Sequence, residues 1–233
     1  MNSYTGIELY RGPSMLNGAP IVAIATLHSQ NAKTGDMIQT WILHAEESPM
    51  DAVKSGADVA ICGQCPHRHH TGGACYVIPF HGPSNVYRAW KRGGYPKATR
   101  RHLKRLTGRP VRLGSYGDPA AVPTDVWDRL LKGASFSTGY THQPNADISH
   151  HCMASADTLE QAEALQSVGW RTFRVKRPGD PLVAGEILCP ASTNSAIQCV
   201  DCQVCSGGNE GVNVAINLHG SRAGRYKLIA TAA

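Results

Sequence analysis

The stretch VRLGSYGDPAAVPTDVWDRLLKGASFSTGYTH (residues 111–142) decides the fold class. It opens as a strand, VRLGSYG at 111–117, turns through Gly117, Asp118 and Pro119, and starts a helix at Pro123, where a missing N–H costs nothing. The helix PTDVWDRLLKG ends at Gly133, and FSTGYTH (136–142) reads as a second strand. Strand, helix, strand implies a parallel pair with a helical crossover. The same alternation extends both ways. Upstream come a strand at PIVAIATL (20–27), a hairpin tip at NAKTGD (31–36) that carries Lys33, and a strand at QTWILH (39–44). Then follow a helix at SPMDAVKSG, a strand at ADVAIC (57–62), a helix at HGPSNVYRAWKRG capped by Ser84, and a basic helix at KATRRHLKRL (97–106). Downstream, HHCMASAD (150–157) leads into TLEQAEALQSVGW, a helix capped by Thr158, and RTFRVKR (171–177) closes the series as a strand. The expected class is α/β.

The chain is 233 residues long, enough for one sizeable core. No charged or Ser/Pro-rich linker divides it, so residues 1–233 read as a single domain with a first cysteine loop at 62–75 and a cysteine-rich C-terminal segment at 186–233. With 42% hydrophobic and 17% charged residues the composition is globular rather than disordered. No apolar run reaches the roughly 20 residues of a membrane helix, and the N-terminus lacks a secretory core. A cytoplasmic protein without a membrane partner is expected.

Seven of the eight cysteines fall into two groups. The first, CGQCPHRHHTGGAC, holds Cys62, Cys65 and Cys75 with three histidines between them. Three thiolates leave a four-iron cluster with one open iron; a fourth ligand from His67, His69 or His70 would instead close a structural zinc site. The second, CPASTNSAIQCVDCQVC, holds Cys189, Cys199, Cys202 and Cys205. Its CxxCxxC core resembles ferredoxin loops, whose close-set thiolates bind separate corners of a 4Fe–4S cluster. Zinc is the competing metal, because four thiolates suit it equally by softness and number. Cys152 stands alone in an apolar strand and reads as a buried thiol.

Polar residues gather at one end of the strand–helix units: Cys62, Asp118, His142 with Gln143, then Ser155 and Asp157. Sites of parallel α/β sheets form at the carboxyl ends of the strands, so these residues should meet at one mouth. His142 is a candidate acid/base group or ligand there.

Taken together, the cysteine group ending in Cys75-Tyr76, the turn RLGSYGDP, the segments MASADT and GWRTFRV, and the late CPAS with CxxCxxC are similar to a phage family of radical-SAM-like proteins labelled gene-product-88-like. The similarity covers roughly residues 30–220. It implies a partial or complete TIM-like (β/α) barrel carrying one or two 4Fe–4S clusters, working in the cytoplasm of an infected bacterial host cell with an electron donor. It also implies S-adenosylmethionine as a cofactor, Cys62, Cys65 and Cys75 as cluster ligands, and Gly114, Gly117 and Asp118 as the glycine-rich acidic motif that grips the cofactor's amino group. The spacing CxxC, nine residues, then Cys departs from the CxxxCxxC of radical enzymes.

The formal charge of +6 is local. Residues 91–109 carry eight of the 23 Lys and Arg and no acid. Lys97, Arg100, Arg101, Lys104 and Arg105 form the footprint expected of a phosphate-binding helix, with Trp90 and Tyr95 as stacking surfaces. The alternative function is thus a zinc-binding, non-catalytic protein that contacts nucleic acid through this segment. GxGxxG, Walker, HExxH and GxSxG motifs are absent, which argues against dinucleotide, nucleotide, zincin and serine-hydrolase chemistry.

Overall fold

The computed structural model describes residues 4–145, 147–208 and 210–226. The expected C-terminal segment therefore continues beyond the described residues at 227–233. A hairpin starts the chain: β1 (Gly6–Pro13) pairs antiparallel with β2 (Pro20–Thr26), and β2 pairs antiparallel with β3 (Ile38–His44). Ile21 to Ala25 are completely buried, so β2 is covered on both faces and its apolar residues run continuously instead of alternating.

From β3 onward the pairing is parallel. β3 pairs with β4 (Val111–Tyr116), and β4 with β5 (Ser137–Thr138). Gly139 separates β5 from β6 (Tyr140–Thr141), where a second sheet begins. Its order is β6, β7 (Met153–Ala156), β8 (Thr172–Lys176), β10 (Asn213–Asn217) and β9 (Glu186–Leu188), all parallel. A Cβ on Gly139 would stand 2.8 Å from the Cys152 sulfur, so the break between the sheets sits where the chain passes the core tightly. Cys152 is buried, as its apolar setting suggests.

The α/β class is present, but the two five-stranded sheets end in edge strands β1 and β9, and among the described residues no closed barrel forms. Two local expectations are corrected. ADVAIC is not a strand: β3 pairs directly with β4, and residues 59–62 form a helical turn, α2 (Val59–Cys62), closed on either side by the positive-φ Gly56 and Gly63. A short apolar run between glycines carries no period that tells strand from helix. Nor does Ser84 cap its helix. That helix, α3, is Gly82–Lys91 with Pro83 in its first turn, and the Ser84 hydroxyl donates to the Pro79 carbonyl at 2.7 Å.

The other helices follow their signals. In α1 (Pro49–Ser55) Ser48 accepts from the Asp51 N–H; in α4 (Arg100–Lys104) Thr99 and His102 form a reciprocal capping box; in α6 (Leu159–Ser167) Thr158 accepts from the Gln161 N–H. In α5 (Thr124–Leu131) Val126, Trp127 and Leu130 face the core. The fully buried Trp127 donates its indole N–H to the Pro119 carbonyl at 2.9 Å. It thereby fixes the loop after β4 that carries Asp118.

Candidate metal centre

The expected convergence is present, with Cys62, Asp118, His142 and Ser155 on one cavity, but Cys62 arrives from a helical turn and not from the end of a strand. Gly114 within β4 and Gly117 just after it are both at positive φ. A Cβ on Gly117 would lie 2.8 Å from that of Ile42, and one on Gly114 would lie 2.7 Å from the Gly117 carbonyl oxygen. Only glycine fits either place, and the turn sends Asp118 inward. The Asp118 N–H donates to the Ile61 carbonyl at 2.6 Å, which joins this loop to the helical turn before Cys62.

The buried Asp118 carboxylate accepts from the Thr141 hydroxyl at 2.7 Å and the His142 N–H at 2.8 Å, and from the Ala120 N–H at 3.0 Å. Burial pushes its pKa up, and these donors only partly counter that. The geometry makes Asp118 a brace between two loops. Both oxygens are engaged by these donors, although Asp118 also borders the cavity.

The first cysteine group follows α2. Cys62 closes that turn, the Cys65 N–H donates to the Cys62 carbonyl, and the Cys75 N–H donates back to the His67 carbonyl. The loop is anchored by the buried Asp58, which receives Arg68 Nη1 at 3.0 Å. Burial pushes the Cys62 thiol well up, and the neighbouring Cys65 and Cys75 sulfurs raise it further; burial takes Cys75 to about 11. Such thiols do not ionise singly, and a bound cation would supply the charge that lets them.

The histidines of this loop separate by role. His69 Nε2 meets the Val77 carbonyl at 2.6 Å and His70 Nδ1 the Val53 carbonyl at 3.0 Å, so both hold backbone. His67 points elsewhere, its Nε2 2.6 Å from Asp157 Oδ1, while His142 Nε2 lies 3.3 Å from Asp157 Oδ2. Burial drives the His142 pKa down, but Cys65 and Asp157 beside it outweigh this and leave it well above the usual value. Tyr226 stacks on His67 with ring centroids 5.3 Å apart, and its hydroxyl donates to the Asp157 carbonyl at 2.6 Å. Spacing alone could not find this pairing, since His67 and Tyr226 lie in loops far from β7 in sequence.

The second group sits on the other side of the same space. Cys189 follows β9 and is buried; α7 (Pro190–Thr193) and α8 (Cys199–Cys202) carry the chain to Cys205. The β2–β3 loop clamps it: the Cys199 N–H donates to the Lys33 carbonyl at 2.9 Å and the Gln198 amide to the Ala32 carbonyl at 2.9 Å. The NAKTGD turn is thus a docking element as well as a hairpin tip. From the opposite side, Arg171 donates to the carbonyls of Val204, Ser206 and Val212 at 2.7–3.2 Å. Burial pushes Cys205 to about 12, with Cys189, Cys199 and Cys202 adding to the rise.

Both groups border one cavity of about 610 Å³, lined among others by Cys62, Cys65, Cys75, Cys189, Cys199 and Arg112. Arg112 donates to the Tyr76 hydroxyl at 2.9 Å and lies over the Tyr140 ring, placing a cation between the two groups. No three cysteine sulfurs lie within 4.8 Å of one another among the described residues. A tetrahedral zinc with Zn–S bonds of about 2.3 Å would hold its sulfurs roughly 3.8 Å apart.

The basic residues are elsewhere. Lys97, Arg100, Arg101, Lys104 and Arg105 are exposed around α4, beside the β1 edge, where the Ala98 N–H donates to the Glu8 carbonyl. Trp90 is no stacking surface: it is buried and donates to Glu8 Oε2 at 2.6 Å. Tyr95 packs against Gly6. No helix is long and apolar enough to cross a membrane among the described residues.

Comparison with family models, with curated proteins and with solved structures returned no match.

Proposed function

We propose that the chain is an iron–sulfur protein. Cys62, Cys65 and Cys75 hold a four-iron cluster with one iron facing the cavity, and Cys189, Cys199, Cys202 and Cys205 hold a second. The observation that carries this reading is that both cysteine groups border one cavity, the second with the CxxCxxC spacing whose close-set thiolates suit separate corners of a cubane. The open series of parallel strands suits a partial TIM-like barrel. Cys62, Cys65 and Cys75 would hold the group at the reactive site, and Cys189, Cys199, Cys202 and Cys205 would hold one that supplies electron transfer.

The fit of S-adenosylmethionine is poorer. Asp118, which resemblance assigns to the cofactor's amino group, has both oxygens engaged by its own loops. The reading therefore stands on the clusters and not on that cofactor. His142 borders Cys65 and the cavity.

Anaerobic purification with iron, sulfide and zinc quantification tests this. About eight irons per chain, halved by combined Cys62→Ala, Cys65→Ala and Cys75→Ala, is the expected result. About two zincs without sulfide would overturn it and favour the alternative, a zinc protein whose exposed basic face contacts nucleic acid.

A further inference from the structure

Two imidazoles converge on one buried carboxylate at the cavity wall. Asp157, its side chain 3% exposed, offers Oδ1 to His67 Nε2 and Oδ2 to His142 Nε2. One ligand atom from each of the three residues lies within 4.8 Å of the other two. The two contacts are unlike. At 2.6 Å the His67 pair is a hydrogen bond. His142 Nε2, although 3.3 Å from its oxygen, is buried and makes no hydrogen bond. A buried nitrogen held only by so poorly aligned a contact falls short of a satisfied hydrogen bond, and a native protein that keeps one calls for an explanation.

We infer that His67, His142 and Asp157 form a binding site for one divalent transition metal of the imidazole and carboxylate class, separate from the two cysteine groups. Two histidines and one carboxylate on one side of an ion leave its remaining positions open, the donor set used for iron(II), and one that zinc or cobalt(II) also accepts. Here the open side is the cavity, which His67 and His142 both line. The ion replaces the proton of the His67–Asp157 hydrogen bond and satisfies His142 Nε2. Tyr226 supplies the outer support: it stacks on the His67 ring and donates to the Asp157 carbonyl, holding both ligands in place. The site lies at the edge of the three-cysteine loop, two residues beyond Cys65, so an ion there and a cluster on Cys62, Cys65 and Cys75 would face the same bound molecule.

The inference does not depend on what the cysteines hold, and the test keeps the two apart. Cobalt(II) added to the full chain gives intense sulfur-to-metal charge-transfer absorption when thiolates bind it and only weak d–d bands at histidine and carboxylate. The expected result is one cobalt per chain free of sulfur absorption, its affinity falling at least tenfold in His142→Asn and in His67→Asn, while any sulfur-bound cobalt is unchanged. The second variant guards against a folding defect in either one, and a thermal melt of each variant confirms the fold. If every bound cobalt shows thiolate absorption, or if the sulfur-free cobalt binds both variants as tightly as wild type, the site does not exist. Loss of iron from the cysteine groups would leave this result untouched and would count against the cluster reading alone.

Discussion

Arg174 and Glu186 show at the residue scale how charge is used inside this molecule. The guanidinium meets the carboxylate with two bonds, 2.8 and 2.7 Å, and the Glu186 side chain is wholly buried. Burial pushes Glu186 up, the Arg174 guanidinium and the Val183 N–H pull it down, and the pull wins, leaving its pKa below the usual glutamate value. A lowered folded pKa means that the stabilisation is fully present above the ordinary glutamate range and is lost as pH falls through the folded value. Acid unfolding should therefore gain part of its steepness from this pair, and Glu186→Gln should remove that part while destabilising the chain by about 3–5 kcal/mol, since it strands a buried cation. Denaturant melts at neutral and acidic pH would show both effects. Because Glu186 begins β9, which leads directly to Cys189, the same substitution should loosen the second cysteine group.

Among the elements, the stretch from Cys189 to Cys205 has little regular structure of its own. Its two helices have four residues each, and a helix that short is not stable alone. What holds it is borrowed: the β2–β3 loop on one side and Arg171 at the start of β8 on the other. Charge-assisted bonds to three carbonyls make Arg171 the main tether, and Arg171→Met should free the segment, with a loss of about 2–4 kcal/mol and faster amide exchange at residues 199–206. Exchange in the first cysteine loop should stay as it was. The RTFRV strand was plain in the sequence, but the inward turn of its first arginine was not, because a strand signal does not say which partner a side chain will meet.

The whole molecule separates its features in space. Both cysteine groups and the two-histidine, one-carboxylate cluster face one cavity, whereas the exposed cations surround α4 beside the β1 edge. A nucleic acid held there would not obstruct the cavity. If the basic face binds, neutralising Arg100, Arg101, Lys104 and Arg105 together should lower affinity equally for all sequences and flatten its salt dependence, with metal content unchanged. Mobility shifts across a salt series, paired with metal analysis, would check it. Unaltered binding would assign the face to solvent.

The sequence by itself determined the parallel strand–helix alternation, the helix caps at Ser48 and Thr158, the two cysteine groups and the gathering of Asp118, His142 and Asp157 at one mouth. Each of these is carried by local chemistry: a period, a capping hydroxyl, a spacing of thiols, the end of a strand. Tertiary structure decided the rest. It made ADVAIC a helical turn, left the barrel open, engaged Asp118 as a brace and buried Trp90 against Glu8. It also brought His67 to Asp157 and Tyr226, and Arg171 to the cysteine segment. Those outcomes depend on which side chains satisfy one another once water is excluded, a competition among distant groups that local patterns do not encode.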